Sequence, residues 1–375
     1  MMRNSENNTS ASSSDAGKIA DRRYLVLNSN ALQTCGVEEF TRLLATRFGN
    51  SARQHVLDAG VASLARELRK SDAIVVNFPI VAWKKKLIEP FLAALMARIM
   101  RKDVLVIPHE WSALNWKRRA VLTPVLLLAT RVCFSAPEIA DEFASSPLSH
   151  LTTGHRGVVP IPPNILPPQR TRPCAFSEKL KQERQQGKFI LGQFGSIYPQ
   201  KQVTAALSVA AELRNRGVDV FVAFAGSFIR GQDNVEQDFF NTVRDLGLED
   251  RVAVSGFVES AEELFAIFQE VDVFCYLLPD GLSSRRASVL AAAASGKPVV
   301  VNAPRRDNSF DHHRLFQKLI EAGGIRLVPT DSDVVALADA VMTANQSEKT
   351  QVPFNQGSEE LWNDVLLTIN KEERY

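Results

Sequence analysis

The chain has 375 residues, which is long enough for two domains that each bury a substantial core. Hydrophobic residues make up 45% of the sequence and charged residues 23%, and this composition is typical of a globular protein. The formal net charge of +2 gives no whole-chain indication of a nucleic-acid partner.

Charge is not spread evenly along the chain. Residues 18–165 contain 20 Lys and Arg against 12 Asp and Glu, whereas the remainder is slightly acidic. A selectively basic half favours a partner that presents negative charge to that half. The basic residues are not interleaved with the aromatic residues of an RNA-binding motif, so we expect no nucleic-acid partner.

Three features predict a cytoplasmic protein. Residues 1–17 are rich in Ser and Asn and lack the apolar core of a signal peptide, so we interpret them as a disordered tail. The apolar stretches 87–100 and 120–130 are shorter than the ~20 residues needed to span a bilayer. The four cysteines show neither a C-x-x-C pair nor a zinc-ligand spacing, which favours a reducing compartment.

The first half alternates apolar strands with helical patterns. Tyr24–Asn28 is a buried-strand pattern, and a loop containing Gly36 leads from it into a helix. Further strands are predicted at 72–78, 103–108 and 130–135, and further helices at 61–69, 84–101 and 115–128. This alternation predicts a parallel sheet covered by helices, and hence an N-terminal Rossmann-like domain over residues 18–165.

A proline-rich segment separates the two halves. Residues 160–168 include five prolines, and a charged helical segment follows, so we predict a linker over 166–186. The alternation then resumes, which predicts a second Rossmann-like domain over 187–357 and a cleft between the two domains. A C-terminal helix is predicted within 358–375, because its apolar residues fall on one face.

The stretch 278–300 contains the largest group of candidate binding residues. It has the pattern of a strand end, a short loop and an Ala-rich helix, and the loop and helix start contain Gly281, Ser283, Ser284, Arg285 and Arg286. A helix N-terminus presents unpaired N–H groups and the positive end of the helix dipole. Two serines and two arginines at that point predict an anion site, and phosphate is the anion that suits them.

Three motifs in the second half match a known family. Gly192-Gln193-Phe194-Gly195-Ser196, followed by Tyr198-Pro199-Gln200-Lys201, is similar to a Gly-rich strand end and a Pro-x-Lys segment. Residues 248–258 resemble a D-R-V-x-x-x-G strand, and residues 291–300 resemble an E-A-x-A-x-G-x-P-V-V helix and strand. Together they resemble the GT-B glycosyltransferases, and within them the large retaining family 4. The similarity is most specific over 189–301.

This resemblance implies an α/β fold of the GT-B type, with two Rossmann-like β/α/β domains facing across a cleft. It implies a transferase that takes a sugar from a nucleotide-sugar donor. Gly195, Ser196 and Lys201 would bind the donor, with Lys201 on its phosphates. Gly36 would belong to the glycine loop of the acceptor domain, which approaches the donor diphosphate.

The sequence departs from the common family pattern at the donor site. The family's two glutamates would fall at Ser283 and Ala291, and a family arginine would fall at Ser196. The G-x-S-x-R-R loop that the chain has instead resembles that of a subgroup of bacterial polysaccharide-assembly glycosyltransferases. The resemblance therefore implies a role in surface polysaccharide biosynthesis and places Gly281, Ser283, Ser284, Arg285 and Arg286 in the donor site.

Basic side chains account for the expected chemistry. Cleavage of a glycosyl–phosphate bond develops negative charge on the leaving diphosphate, which Lys and Arg can stabilise without a metal ion. We assign this work to Lys201, Arg285 and Arg286, and we expect no metal and no cofactor besides the nucleotide-sugar substrate. The alternative is that the arginines only cap carbonyls or pair with surface acids.

His109 and Glu110 are the candidate catalytic residues. They follow a predicted strand, at a point where family members often carry a His near the reacting sugar. They could bind the donor sugar or the acceptor hydroxyl, or help to move a proton. The alternative is a strand-end histidine beside a helix-capping glutamate.

Two basic and apolar helical patterns begin near Trp83 and Trp116. They favour docking on the anionic inner face of a membrane that presents a lipid-linked acceptor. The alternative is two ordinary helices that pack on the sheet with solvated basic ends. The sequence thus predicts a glycosyltransferase with a glycan or lipid-linked acceptor, and a non-catalytic binding subunit or a sugar-nucleotide epimerase are the alternatives.

Overall fold

The computed structural model describes residues 22–29, 36–57, 60–79, 88–197, 202–228, 234–346 and 352–371. The chain divides into two compact units. One comprises residues 1–160 together with 362–375, and the other comprises residues 161–361. Each unit contains a six-stranded parallel sheet with helices between successive strands, as the alternating sequence pattern predicts.

The first unit is formed by the elements β1 Tyr24–Asn28, α1 Gly36–Phe48, β2 Ala52–Val56, α2 Val61–Arg69, β3 Ala73–Phe78, α3 Ile88–Ile99, β4 Asp103–Pro108, α4 Trp116–Leu128, β5 Arg131–Phe134, α5 Pro137–Ala144 and β6 His155–Val158. Its strand order is β2-β1-β3-β4-β5-β6. The order therefore reverses between β1 and β3.

The second unit is formed by α6 Ala175–Gln185, β7 Phe189–Phe194, α7 Gln202–Asn215, β8 Val220–Ala225, α8 Val235–Asp245, β9 Val252–Val254, α9 Ala261–Glu270, β10 Val273–Tyr276, α10 Ala287–Ala294, β11 Val299–Asn302, α11 Arg314–Glu321, β12 Ile325–Val328 and α12 Val334–Asn345. Its strand order is β12-β11-β10-β7-β8-β9. This is the order of a dinucleotide-binding Rossmann sheet, which reverses between β7 and β10.

The central strands are buried on both faces, which explains why they are continuous apolar runs. Every residue of β1, β3, β8 and β11 is buried, as expected for a parallel sheet covered by helices on each side. Two apolar clusters fill the second unit and one fills the first. The buried Cys133 and Cys275 lie within strands and, like Cys174, form no disulfide.

The proline-rich segment and the C-terminal helix are both part of compact units. Residues 166–186, predicted as a linker, lie within the second unit, where Leu180 of α6 is fully buried. The last helix, α13 Phe354–Asn370, contributes its residues up to Leu361 to the second unit and those from Trp362 onward to the first. None of the described helices is long and apolar enough to cross a membrane.

Candidate active site

The strand order of the second sheet reverses between β7 and β10, and Gly195 after β7 lies there beside the start of α10. In open parallel sheets, ligands bind at the carboxyl ends of the strands at such a point. Gly195 follows β7, and a Cβ built on it would lie 3.5 Å from the Cβ of Ser288 in α10. The structure thus brings the predicted Gly195 segment beside the start of the helix that follows Arg285 and Arg286.

The loop after β10 is fixed to the neighbouring strand by Asn302. This buried residue ends β11, and its amide side chain donates to Leu278 O and accepts from Leu278 N, both at 2.8 Å. The backbone N–H of Leu282 donates to Asn302 O at 3.0 Å. Three hydrogen bonds to one residue therefore hold the entry of the loop in a single conformation.

Gly281 is required for the path of this loop. Its φ is +72°, and a Cβ at this position would lie 2.1 Å from the carbonyl oxygen of Ala303. An L side chain would meet both backbone strain and a steric clash there. The glycine thus lets the chain turn beside β11 before it enters α10.

The N-terminus of α10 has the composition of an anion site. Its first turn contains no acidic residue, and Arg286 occupies the N-cap position without a side-chain cap. Ser283, Arg285 and Arg286 are half-buried. Ser284 is fully buried, and its hydroxyl has no hydrogen-bond partner among the described residues. The helix dipole and the two guanidinium groups favour an anion at this point.

Tyr276 of β10 contacts both the end of β7 and the start of α10. Its hydroxyl accepts from Phe194 N at 3.1 Å and lies 3.3 Å from Phe194 O and 3.4 Å from Ser288 O. Burial raises the pKa of Tyr276 above its ordinary value, so the hydroxyl stays protonated. Sequence reasoning did not select this residue, although a tyrosine inside a buried strand needs a polar partner.

The Gly195 segment is itself tightly packed. Gly195 has φ +129°, and a Cβ on the neighbouring Gly226 would lie 2.0 Å from Gly195 O. Ser196 is exposed. Lys201, together with residues 198–200 of the predicted Pro-x-Lys segment, lies outside the described residues, so its phosphate role remains a sequence-based prediction.

In the first unit, His109 follows β4 and is held among neighbours. It is 6% exposed, its Nε2 lies 3.4 Å from Asn77 Oδ1, and its ring packs edge-on to Phe40 at 5.3 Å. Glu110 is half-buried beside it. Gly36 is the exposed first residue of α1, and a Cβ there would meet no atom of the described residues within 4 Å. Packing against the described residues therefore does not require a glycine at that position.

Four adjacent strands of the first sheet end in buried polar residues. Asn28 ends β1, Asn77 lies near the end of β3, His109 follows β4, and Ser135 follows β5. Among the described residues, Asn28 Oδ1, Asn77 Nδ2 and Ser135 Oγ have no hydrogen-bond partner. A buried polar atom without a partner costs about 1–3 kcal/mol. We call these four residues the polar row.

Glu38 on α1 adds a buried carboxylate to the first unit. It is fully buried, accepts from the hydroxyl of Ser29, and lies 3.5 Å from the guanidinium of Arg42. Its second oxygen, Oε2, has no hydrogen-bond partner among the described residues. The polar row other than His109 was not predicted, although a polar residue that ends an apolar strand is a visible signal in the sequence.

The predicted site residues thus fall into two groups, one in each unit. Gly36, His109 and Glu110 lie in the first unit, and Gly195, Ser196 and the Gly281 loop lie in the second. Within the part of the chain that the structure describes, no cluster of three or more His, Cys, Asp or Glu is placed to hold a metal ion.

Comparison with known proteins identifies the fold. The sequence profile of the family "Glycosyl transferases group 1" matches residues 188–346. The structure is similar to HepE of Anabaena in complex with UDP and glucose, with a TM-score of 0.60, 15% identity, and coverage of 93% of this chain and 97% of that chain. No curated protein matches the sequence.

Two further solved structures show the same similarity over 93% of this chain and 97% of theirs. A glycosyltransferase from Rickettsia africae has a TM-score of 0.60 at 12% identity. Sucrose-phosphate synthase of Thermosynechococcus elongatus has a TM-score of 0.58 at 17% identity. With its two parallel six-stranded sheets and its C-terminal helix, the chain has the GT-B fold, as the sequence motifs predict.

Proposed function

We propose that this protein is a glycosyltransferase that transfers a sugar from a nucleotide-sugar donor, with retention of configuration, to a glycan or lipid-linked acceptor. The observation that carries the proposal is the loop 278–286, which Asn302 and Gly281 fix at the reversal point of the second sheet. The similarity of residues 188–346 to the group 1 glycosyl transferases supports it.

The second unit binds the donor in this proposal. The diphosphate lies at the N-terminus of α10, where Arg285, Arg286 and the helix dipole carry positive charge. Lys201 contributes a further positive charge. HepE has been solved with UDP and with UDP-glucose, so uridine diphosphate sugars are the first donors to test.

The reaction breaks the bond between the anomeric carbon and the diphosphate oxygen. The bonding electrons leave with the nucleoside diphosphate, the acceptor oxygen forms the new bond to the anomeric carbon, and the acceptor proton passes to the leaving diphosphate oxygen. Arg285 and Arg286 stabilise the charge that develops on the leaving group, so the proposal needs no metal ion. His109 hydrogen-bonds a sugar or acceptor hydroxyl.

The first unit binds the acceptor in this proposal. The polar row and Glu38 together offer donors and acceptors that suit a hydroxyl-rich ligand. Exposed apolar residues on α3 and α4 favour an acceptor at a membrane surface, since Ile88 is 65% exposed, Ile99 73% and Trp116 74%. A lipid-linked acceptor in surface polysaccharide assembly fits these features.

The experiment is a thermal-shift screen with UDP-, GDP- and dTDP-sugars, followed by product analysis with the labelled donor that binds. We expect one class of donor to raise the melting temperature, because it binds only the folded state, and the label to appear in a glycan or lipid product. A stabilising donor converted to its epimer without an acceptor would indicate an epimerase. No stabilisation by any donor would favour a non-catalytic subunit, a reading that the absence of glutamate at positions 283 and 291 keeps open.

Two arginine variants test the phosphate role directly. Arg285→Ala and Arg286→Ala should each lower kcat/KM at least about tenfold, since each removes a charge that acts on the leaving diphosphate. Arg244→Ala is the matched control, because Arg244 is an exposed arginine at the end of α8 in the same unit. Unchanged turnover in both test variants would exclude the assigned role.

A further inference from the structure

A cavity of about 470 Å³ lies at the amino-terminal edge of the first sheet. The first residues of five strands line it, namely Tyr24, Ala73, Asp103, Arg131 and His155. Because the strands are parallel, this edge is opposite the one that carries the polar row and His109. The cavity is therefore separate from the candidate active site, and its volume is within the range of small-molecule sites.

The lining of this cavity is basic. Arg22 before β1, Arg98 of α3 and Arg131 of β5 meet there with His155, and Asp103 is the only acidic residue among the described residues of the lining. Asp103 is already ion-paired with Arg22. Within the described part of the lining, Arg98 and Arg131 thus have no carboxylate that balances their charge.

Arg131 is fixed in place by the C-terminal helix. Its guanidinium donates to the carbonyl oxygens of Ile369 and Lys371 and lies 3.4 Å from that of Thr368. These carbonyls are the end of α13, which carries only a partial negative charge. The guanidinium is therefore oriented by the helix end but keeps a net positive charge at the cavity wall.

Arg98 adds another guanidinium group to the lining of the cavity. It lies in the last turn of α3 and is exposed, and among the described residues it makes no ion pair. Thr153 adds a hydroxyl to the lining. The planar guanidinium group presents several N–H donors in a fixed arrangement that matches the oxygens of a phosphate.

We propose that this cavity binds a small anion that bears a phosphate group. The positive excess, the fixed orientation of Arg131 and the volume all favour such a ligand over a neutral one. The phosphate can come from a soluble phosphorylated compound or from a phospholipid headgroup, and the test separates the two. The proposal does not depend on the transferase activity, because the residues belong to the first unit and to the opposite edge of its sheet.

The experiment measures binding of inorganic pyrophosphate by calorimetry, on the full chain carrying Arg285→Ala and Arg286→Ala. Those two changes remove the proposed donor-diphosphate contacts, so the remaining binding reports on the cavity. Arg98→Ser in this background should weaken binding about tenfold, as expected for the loss of one charge-assisted contact. Arg69→Ser is the matched control, since Arg69 is also exposed in the last turn of a helix of the first unit but does not line the cavity.

A second arm uses vesicles of phosphatidylcholine with and without phosphatidic acid. Co-sedimentation that needs phosphatidic acid and is lost in Arg98→Ser, without pyrophosphate binding, would assign the cavity to a lipid phosphate. Pyrophosphate binding lost in Arg98→Ser would assign it to a soluble ligand. Equal weakening by Arg98→Ser and Arg69→Ser, or no binding of either probe, would overturn the proposal.

Discussion

Gly281 is the residue on which the geometry of the loop 278–286 depends most directly. Its positive φ and the 2.1 Å that would separate a Cβ at this position from Ala303 O act together, whereas most of the described glycines with positive φ have open space where a Cβ would lie. Gly217 is one of these, since its φ is +85° and a Cβ there meets no atom within 4 Å. A substitution at Gly217 therefore tests backbone strain alone, whereas a substitution at Gly281 tests backbone strain together with a steric clash.

Gly281→Ala should lower the free energy of unfolding by about 2–4 kcal/mol, because positive φ and overpacking both destabilise an alanine. Gly217→Ala should lower it by about 1 kcal/mol, since only the backbone strain applies. Urea unfolding curves of both variants give these values. Equal losses would mean that the loop relaxes away from Ala303.

At the residue scale, sequence motifs selected the loop 278–286 as a candidate donor site but did not select the residues that hold it. Ser283, Arg285 and Arg286 were selected because they lie at the predicted N-terminus of a helix, where serines and arginines favour an anion, and because the loop resembles a family motif. Asn302 and Tyr276 were not selected, because each lies within an apolar strand and its partner is distant in sequence, at Leu278 and Phe194. Their hydrogen bonds depend on which strands are neighbours, and local sequence does not state this.

At the scale of elements, the buried strands of the first sheet were predicted from the sequence, whereas its exposed edge strands were not. The fully buried β1 and β3 are continuous apolar runs and were predicted within one residue. The edge strands β2 and β6 were missed, because they lie at the two sides of the first sheet and carry exposed polar residues such as Arg53 and Arg156. An edge strand has only one neighbour to pack against, so its apolar pattern is weak.

The start of α11 shows how a side chain can shift an element boundary. The sequence pattern predicts a helix from Phe310, but α11 begins at Arg314. His313 is fully buried and caps the helix, since its Nδ1 accepts from Phe316 N at 3.3 Å while its Nε2 lies 3.1 Å from Ile161 O. An acceptor at Nδ1 and a donor at Nε2 describe a neutral imidazole.

This cap makes stability depend on pH. Burial, with a smaller effect of the neighbouring His312, lowers the pKa of His313 to about 3, whereas an unfolded histidine has a pKa of about 6.5. Between these values the unfolded state binds a proton that the folded state does not. The contribution of His313 to the free energy of unfolding should therefore be constant above pH ~6.5. Below that pH the free energy of unfolding should fall as the pH drops toward ~3, by up to ~1.4 kcal/mol per pH unit.

His313→Asn keeps a side-chain cap for Phe316 N but cannot titrate. We expect this variant to be less stable at pH 7 and to show a shallower loss of stability between pH 6.5 and 4.5. Urea unfolding at several pH values measures both effects. His150→Asn, at an exposed histidine of the first unit, should keep the original slope, and an unchanged slope in His313→Asn would show that another group dominates.

At the scale of the whole molecule, the C-terminal helix is the element whose packing sequence reasoning could only partly predict. Its apolar face was predicted to comprise Leu361, Trp362, Val365, Leu366 and Ile369, and all of these are buried except Leu366, which is half-buried. Which unit they would join was not predictable, because an apolar face fits any complementary surface. Trp362 and the residues after it belong to the first unit, although nearly all of that unit lies more than 200 residues earlier in the sequence.

Contacts of the last turns explain this placement. Trp362 stacks on Phe40 with ring centroids 5.7 Å apart, and the guanidinium of Arg47 lies 5.4 Å from its ring. Asn370 accepts a hydrogen bond from the hydroxyl of Tyr24. The end of the helix thus packs against α1 and β1, the first two elements of the first unit.

Loss of the helix end should therefore destabilise the first unit selectively. Trp362→Ala should cost about 3–5 kcal/mol, as for a buried tryptophan that leaves a cavity, and Leu367→Ala should cost well under 1 kcal/mol, because Leu367 is 51% exposed on the same helix. Hydrogen exchange measured by mass spectrometry should show faster exchange in β1 and β3 of the Trp362 variant, with β7 and β8 unchanged. Equal acceleration in both sheets would mean that the two units unfold as one cooperative structure and that the helix end does not act on the first unit alone.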